Sequence, residues 1–284
     1  MTDTKIYVGV TGFNYEDWKA KLGGFYPPNV ANHELLGYYS TQYPTCEINS
    51  TFYAFPRLDS TRRWLKLIPP DFILTAKIPK EIGQAEDISL SEEKLKSFLY
   101  LMKPLQKNLG PLVLQFAPSF EKTEKSWEQL QKFIEFYPLD EYSLAIEFRH
   151  KTWFNQETYD LLNDYNLGTV SSILPFIKFN LYEEVTNNYF YLRLIGSHQQ
   201  KIGMGKELIS REETMQNTAS ILEEGFVNNK NKTTGYVYIN NHFSGYAPPS
   251  ANRFKEILEE RKLNTVSPEV TSFKGQQKLS DFFG

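Results

Sequence analysis

Apolar residues along this chain fall into short runs separated by stretches where they recur at helical spacing. Eight runs read as strands: Ile6–Val10, Thr45–Phe52, Phe72–Ile78, Pro111–Ala117, Ser143–Phe148, Gly168–Ile173, Tyr189–Ile195 and Gly235–Asn240. Several are apolar almost throughout, as in strands covered on both faces. Between them, Ser91 to Asn108 places Leu95, Phe98, Leu99, Met102 and Leu105 on one helical face, with Ser91 as N-cap. Ser210 to Glu213 has the spacing of a capping box and opens a helix to about Phe226. Helices are also predicted over His33–Gln42, Ser60–Ile68, Ser126–Phe136, Gln156–Asp164 and Ala251–Arg261. Eight strands interleaved with helices predict a single-domain α/β fold, a (β/α)8 TIM-barrel-like architecture, in preference to an open doubly wound sheet. Residues 1–263 form the expected barrel domain and 264–284, without periodicity, a short C-terminal tail.

Strand parity then sorts the polar residues. Glu47, Asn49 and Thr51 alternate onto one face, as do Thr75 with Lys77, Val113 with Gln115, Glu147 with Arg149, Tyr191 with Arg193, and Tyr238 with Asn240. Each set ends in a polar residue near the carboxyl end of its strand, where barrel active sites lie. Glu47, Glu147 and Lys77 are the catalytic candidates, the glutamates for proton transfer, one of them with its pKa raised by burial or by its neighbour. Lys77, Arg149 and Arg193 suit an anionic group. Asn49, Thr51, Tyr53, Gln115, His150, Asn240 and Asn241 complete the expected binding set. The long segments Gly12–Asn32 and Gly196–Lys206 follow strands and are expected to carry function.

Composition narrows the classes. Thirty-one Lys and Arg against 34 Asp and Glu give a net charge of -3, which argues against a surface built to coat nucleic acid or membrane. Cys46 is the one cysteine, so an intramolecular disulfide is excluded, and a reducing, cytoplasmic location is expected. The amino terminus lacks the layout of a secretory signal, and no run of apolar residues is long enough to span a bilayer, so no membrane association is expected. The histidines His33, His150, His198 and His242 are too dispersed for a multinuclear zinc site, which leaves room for a single divalent cation held by carboxylates and Asn. The cofactor is otherwise unknown. Aromatic residues make up 15% of the chain, enough for a large core or a stacking surface.

Ordered motifs carry a family resemblance. Glu47 to Tyr53 followed by Pro56 and Trp64, Gly12 to Tyr15 with Trp18 and Phe25 to Pro27, and Gly110 to Pro118 form the first part of the series. Ala145 to His150 with Trp153, Arg193, and Tyr238 to Asn241 with Ala247 and Pro248 complete it. Together they resemble the YecE-like family, a domain of unknown function numbered seventy-two, over about residues 5 to 260. The resemblance implies a TIM-barrel-like fold and no established reaction. Two departures stand out: Phe13 lies where that family has Trp, and the sixth strand, Thr169 to Ile173, lacks the aspartate common there.

The tail contains Gln276, Leu279, Phe282 and Phe283 at the spacing of a sliding-clamp-binding peptide. Two readings follow from the sequence, with a third ranked below them. The first is an enzyme, a hydrolase or isomerase using Glu as general acid/base, acting on a small anionic, phosphate-bearing or sugar-like substrate at the barrel mouth. The second is a nucleic-acid-binding or DNA-repair-associated protein recruited through the clamp peptide, with Phe13, Tyr15, Trp18, Phe52, Tyr53 and Trp153 available to stack on bases. The third is a non-catalytic ligand-binding barrel.

Overall fold

Runs such as Tyr189–Leu194 and Thr234–Ile239 are rich in β-branched and aromatic residues, the first buried along its length and the second over most of it, which suits the inner sheet of an α/β protein. In the computed structural model, which describes residues 4–173, 187–197, 199, 201–227 and 233–269, these runs close into a parallel barrel. The strands are β1 (Lys5–Thr11), β2 (Thr45–Ile48), β3 (Ile73–Lys77), β4 (Leu109–Gln115), β5 (Leu144–Glu147), β6 (Gly168–Ile173), β7 (Tyr189–Leu194) and β8 (Thr234–Ile239). They run in sequence order, and β8 pairs with β1 from Lys5↔Thr234 to Val10↔Ile239. The helices around the barrel include α1 (Leu35–Tyr39), α2 (Leu58–Leu67), α3 (Glu92–Met102), α4 (Glu124–Phe136), α5 (Gln156–Asp164), α6 (Glu212–Leu222) and α7 (Ala247–Glu260). Among the described residues, no helix is long and apolar enough to cross a membrane.

Two apolar layers hold the barrel. Outward-facing side chains such as Ile6, Val8, Cys46, Leu74, Leu112 and Ile146 pack against the helices. Inside, Val113, Ala145, Val170, Tyr189, Tyr191 and Tyr238 form a separate cluster. The inner tyrosines keep their hydroxyls satisfied, as buried phenols require: Tyr189 Oη donates to the Leu144 carbonyl at 2.7 Å, and Tyr238 Oη bonds Thr45 Oγ1 at 2.6 Å.

Several element ends differ from the sequence expectation, each for a local reason. The strand predicted over Thr45–Phe52 stops at Ile48, because Asn49 turns to φ −89°, ψ −21° and Ser50–Tyr53 form a helical turn. Thr51 therefore leaves the face of Glu47, and its Oγ1 donates to the Lys77 carbonyl at 2.7 Å, tying β2 to β3. Ala247–Glu260 begins before Ala251, because prolines in a first helical turn lose no intrahelical bond. Thr123 rather than Ser126 caps α4, in a reciprocal box with Ser126. Ser210 does not cap α6; Arg211 is the N-cap residue there, and its Nε donates to the Phe243 carbonyl at 2.6 Å. The chain stays on the barrel beyond Leu263: Ile6 N–H donates to the Asn264 carbonyl at 2.8 Å, and Val266 N–H to the Ile6 carbonyl at 2.8 Å. Gln276, Leu279, Phe282 and Phe283 lie outside the described residues.

Candidate functional site

The strand ends place acidic, basic and amide groups together at the carboxyl mouth. Arg193 at the end of β7 lies between two carboxylates: Nη2 donates to Glu47 Oε1 at 2.9 Å, and Nη1 to Glu147 Oε2 at 2.9 Å. All three side chains are sealed from solvent. Tyr191 Oη donates to Glu47 Oε2 at 2.7 Å, and burial together with the Glu47 charge holds its hydroxyl protonated, far above the ordinary phenol range. Glu147 Oε1 accepts from Arg149 Nη2 at 2.6 Å and from Ser172 Oγ at 2.6 Å. Burial works to raise the Glu147 pKa, but Arg149, Arg193, Lys77 and the Ser172 hydroxyl outweigh it and hold the carboxyl well below its usual range. Glu147 is therefore a fixed anion, the opposite of the raised carboxylic acid expected for proton transfer. Both oxygens of Glu47 are likewise engaged.

Lys77 occupies a different environment. Its side chain is buried, with Nζ 2.6 Å from Gln115 Oε1 and 4.9 Å from the centre of the Phe52 ring. Among the described residues it forms no ion pair, because Arg149 and Arg193 occupy the carboxylates. Burial, reinforced by the Arg193 charge, pushes its pKa down to about 7 against the pull of Glu147 and Glu47. The same Gln115 oxygen accepts from Arg149 Nη2 at 3.2 Å, so one amide aligns both cations.

Lys77 faces a hollow of about 200 Å³, also lined by Asn49, Phe52, Tyr53, Gln115, Arg149, Arg193, Ile195 and Asn240. Among the described residues, two buried polar atoms of this lining have no partner: Asn49 Oδ1 and Arg193 Nε. A buried polar atom without a partner costs free energy, which a ligand atom can recover. Asn240 presents its amide at the rim, with Nδ2 donating to Thr11 Oγ1 at 2.8 Å. Tyr53 is 72% exposed beside the hollow.

Other expected binding residues hold the scaffold instead. His150 caps the short turn Lys151–Trp153 and lies 3.4 Å from Glu121, away from the hollow. Asn241 is buried, accepting from Trp18 Nε1 at 3.0 Å and from Ala247 N–H at 2.8 Å. It fastens the loop after β1 to the loop after β8. Those two contacts absorb its oxygen, and its amide faces Asp17. The long segments after β1 and β7 pack on each other: a Cβ on Gly205, at φ +63°, would lie 2.4 Å from Gly23 N. Among their described residues none lines the hollow. Of the aromatics expected to stack on bases, Trp18 and Trp153 are fully buried, and Tyr15 Oη is bound to the Thr11 carbonyl at 2.9 Å. The sequence reading placed Tyr191 on the face of Arg193 without giving it a role, and it missed Ser172, whose hydroxyl is brought to Glu147 only once β5 and β6 lie side by side.

Among the described residues no three of His, Cys, Asp and Glu converge as metal ligands. The two carboxylates at the mouth already neutralise guanidinium groups, and a divalent ion there would meet Arg149, Arg193 and Lys77.

A family model described as protein of unknown function DUF72 matches residues 7–272. The chain is 27% identical over 161 residues to UPF0759 protein YunF of Bacillus subtilis, covering 55% of this chain and 54% of that protein. It is 26% identical over 149 residues to UPF0759 protein YecE of Escherichia coli K12, covering 52% and 50%. The aligned chain thus spans about half the length of the curated relatives it matches. Among solved structures, a DUF72 family protein of Thermotoga maritima superposes with TM-score 0.74 at 29% identity, covering 90% of this chain and 99% of the other. A DUF72 family protein of Enterococcus faecalis superposes with TM-score 0.68 at 20% identity, covering 90% and 98%, which shows the fold alone.

Proposed function

The chain belongs to the DUF72 family, whose description assigns no reaction, and we propose from the site itself that the barrel mouth binds and converts a small anionic molecule, phosphate-bearing or sugar-like. The observation that carries this reading is the charge balance. Three basic side chains meet two carboxylates, both carboxylates are spent on the guanidinium groups, and the remaining base, Lys77, faces the hollow. With Lys77 neutral the cluster is balanced; an arriving anion restores a counter-charge and favours Lys77 protonated. The hollow is smaller than a drug-sized pocket, which runs from roughly 300 Å³ upward, and admits only a compact guest. Arg149, partly open to solvent, provides N–H groups at the rim, while Asn49, Gln115 and Asn240 provide amides to orient hydroxyl or carbonyl oxygens.

The proton-transfer role passes from the glutamates to Lys77, whose pKa lies near neutrality. Calorimetric titration with sulfate, whose own charge is constant between pH 6 and 8, tests the reading. Affinity is expected to be several-fold higher at pH 6 than at pH 8 and to lose that pH dependence in Lys77→Met. Absence of binding by sulfate and by a panel of sugar phosphates overturns it.

A further inference from the structure

We propose that Lys77 is an imine-forming nucleophile, so that the compact anion taken up at the mouth carries an aldehyde or ketone group which condenses with Nζ. This rests on the anion-site reading above and goes beyond it by naming the reacting bond.

Four features of the geometry converge. Lys77 ends a barrel strand, so its backbone is fixed on one side by β4, with Lys77↔Val113 in register, and on the other by the Thr51 hydroxyl on its carbonyl. Its amine reaches the hollow, and a single directional partner, the Gln115 oxygen at 2.6 Å, holds it while leaving the nitrogen lone pair free once the amine is neutral. Phe52 and Ile195 line the same hollow and supply an apolar wall that limits solvation of the amine. The carboxylates that would otherwise clamp an ammonium are turned to Arg149 and Arg193. A lysine kept out of ion pairs, desolvated and set among other cations is the environment in which an amine becomes a nucleophile toward carbonyl carbon. Burial pushes its pKa down to about 7, so that about half of the amines are neutral at pH 7, against about one in 2,500 for an ordinary lysine.

The chemistry balances with groups present. The Nζ lone pair attacks the carbonyl carbon, a C–N bond forms, and the carbonyl π pair moves to oxygen. A proton passes from nitrogen to that oxygen through solvent, giving a carbinolamine. One further proton from solvent allows the oxygen to leave as water while the nitrogen pair closes the C=N bond. The product is an iminium that keeps one N–H for Gln115 Oε1, and its positive charge is offset by the guest's own anionic group. No oxidant, reductant or metal is required.

The test is reductive trapping on the full chain. Glyoxylate and dihydroxyacetone phosphate are incubated separately with the protein at pH 7 in the presence of cyanoborohydride, and labelling at each lysine is followed by peptide mass spectrometry. Lys77 is expected to be labelled at least tenfold faster than the median lysine. Saturating sulfate should slow it at Lys77 alone, and in Lys77→Arg, which keeps the cation, no adduct should form at this position. Labelling of Lys77 no faster than the median with both probes overturns the inference, and wild-type peptide mapping reads this whether or not the variant folds. If sulfate binds while Lys77 stays unlabelled, the imine falls and the anion site stands. If Lys77 labels rapidly but sulfate neither binds nor protects, the nucleophile stands and the anion site falls.

Discussion

The two ends of the barrel place ionisable groups in opposite environments. At the base lies the larger hollow, about 530 Å³, bordered by Lys5, Asp71, Lys107 and Glu269 together with prolines 44, 69 and 70. Those four charged residues are all exposed. At the mouth the hollow is less than half that size, yet Glu47, Lys77, Glu147 and Arg193 around it are buried. Volume alone is a poor guide to chemistry: charges in water are screened and inexpensive, whereas charges withdrawn from water must be paired and orient whatever enters. Within the mouth a second contrast holds, between the closed Glu47–Arg193–Glu147 array and the open side at Lys77.

The largest expected effect comes from breaking the closed array. Arg193→Ala leaves buried Glu47 without its cationic partner and Glu147 with Arg149 alone, and should cost about 3–5 kcal/mol by urea denaturation; a loss below about 1 kcal/mol would mean that water reaches the carboxylates and that the array is not sealed. Lys77→Met, on the open side, should abolish the pH dependence of sulfate binding while leaving stability at pH 6 unchanged or raised by up to about 1 kcal/mol, because it removes a charge the fold does not neutralise.

More diagnostic is the pH dependence of stability. The native Lys77 pKa is pushed down to about 7 from 10.5. Between those values the unfolded chain holds a proton that the native chain has released, so the contribution of Lys77 to stability rises as pH increases from about 7 toward 10.5. Wild type should therefore gain stability relative to Lys77→Met between pH 7 and pH 9.5 in paired denaturation curves, and a flat difference would show that the amine is solvated. Smallest of all, Asp71→Asn at the base should change stability by less than about 0.5 kcal/mol. A larger loss would show that the base also relies on its charges.

Much of the site was legible because a strand has a period of two. Parity along separate segments placed Glu47, Lys77, Gln115, Glu147, Arg193 and Asn240 on the inner face at one end of a barrel, and the structure brings all six to the mouth. Parity failed for Thr51, where the strand had already turned into a helix at Asn49. It was uninformative for His150 and Asn241, which follow strand ends but satisfy local backbone and loop groups. Type alone also could not assign the proton-transfer role: a buried glutamate can be raised or lowered in pKa, and the sign depends on which cations stand beside it.

Short apolar runs interleaved with helical periodicity, read without coordinates, are enough to predict eight strands in a barrel-type fold and the end at which polar side chains gather, because these follow from backbone geometry and burial; the order of the strands was decided by closure. Which charges neutralise one another was decided only when the barrel closed. That closure brings Arg193 beside Glu147, 46 residues away, and Glu47, 146 residues away, and so leaves Lys77 as the base facing the hollow. Electrostatic pairing acts over a few ångströms in space, and separation along the chain carries no information about it.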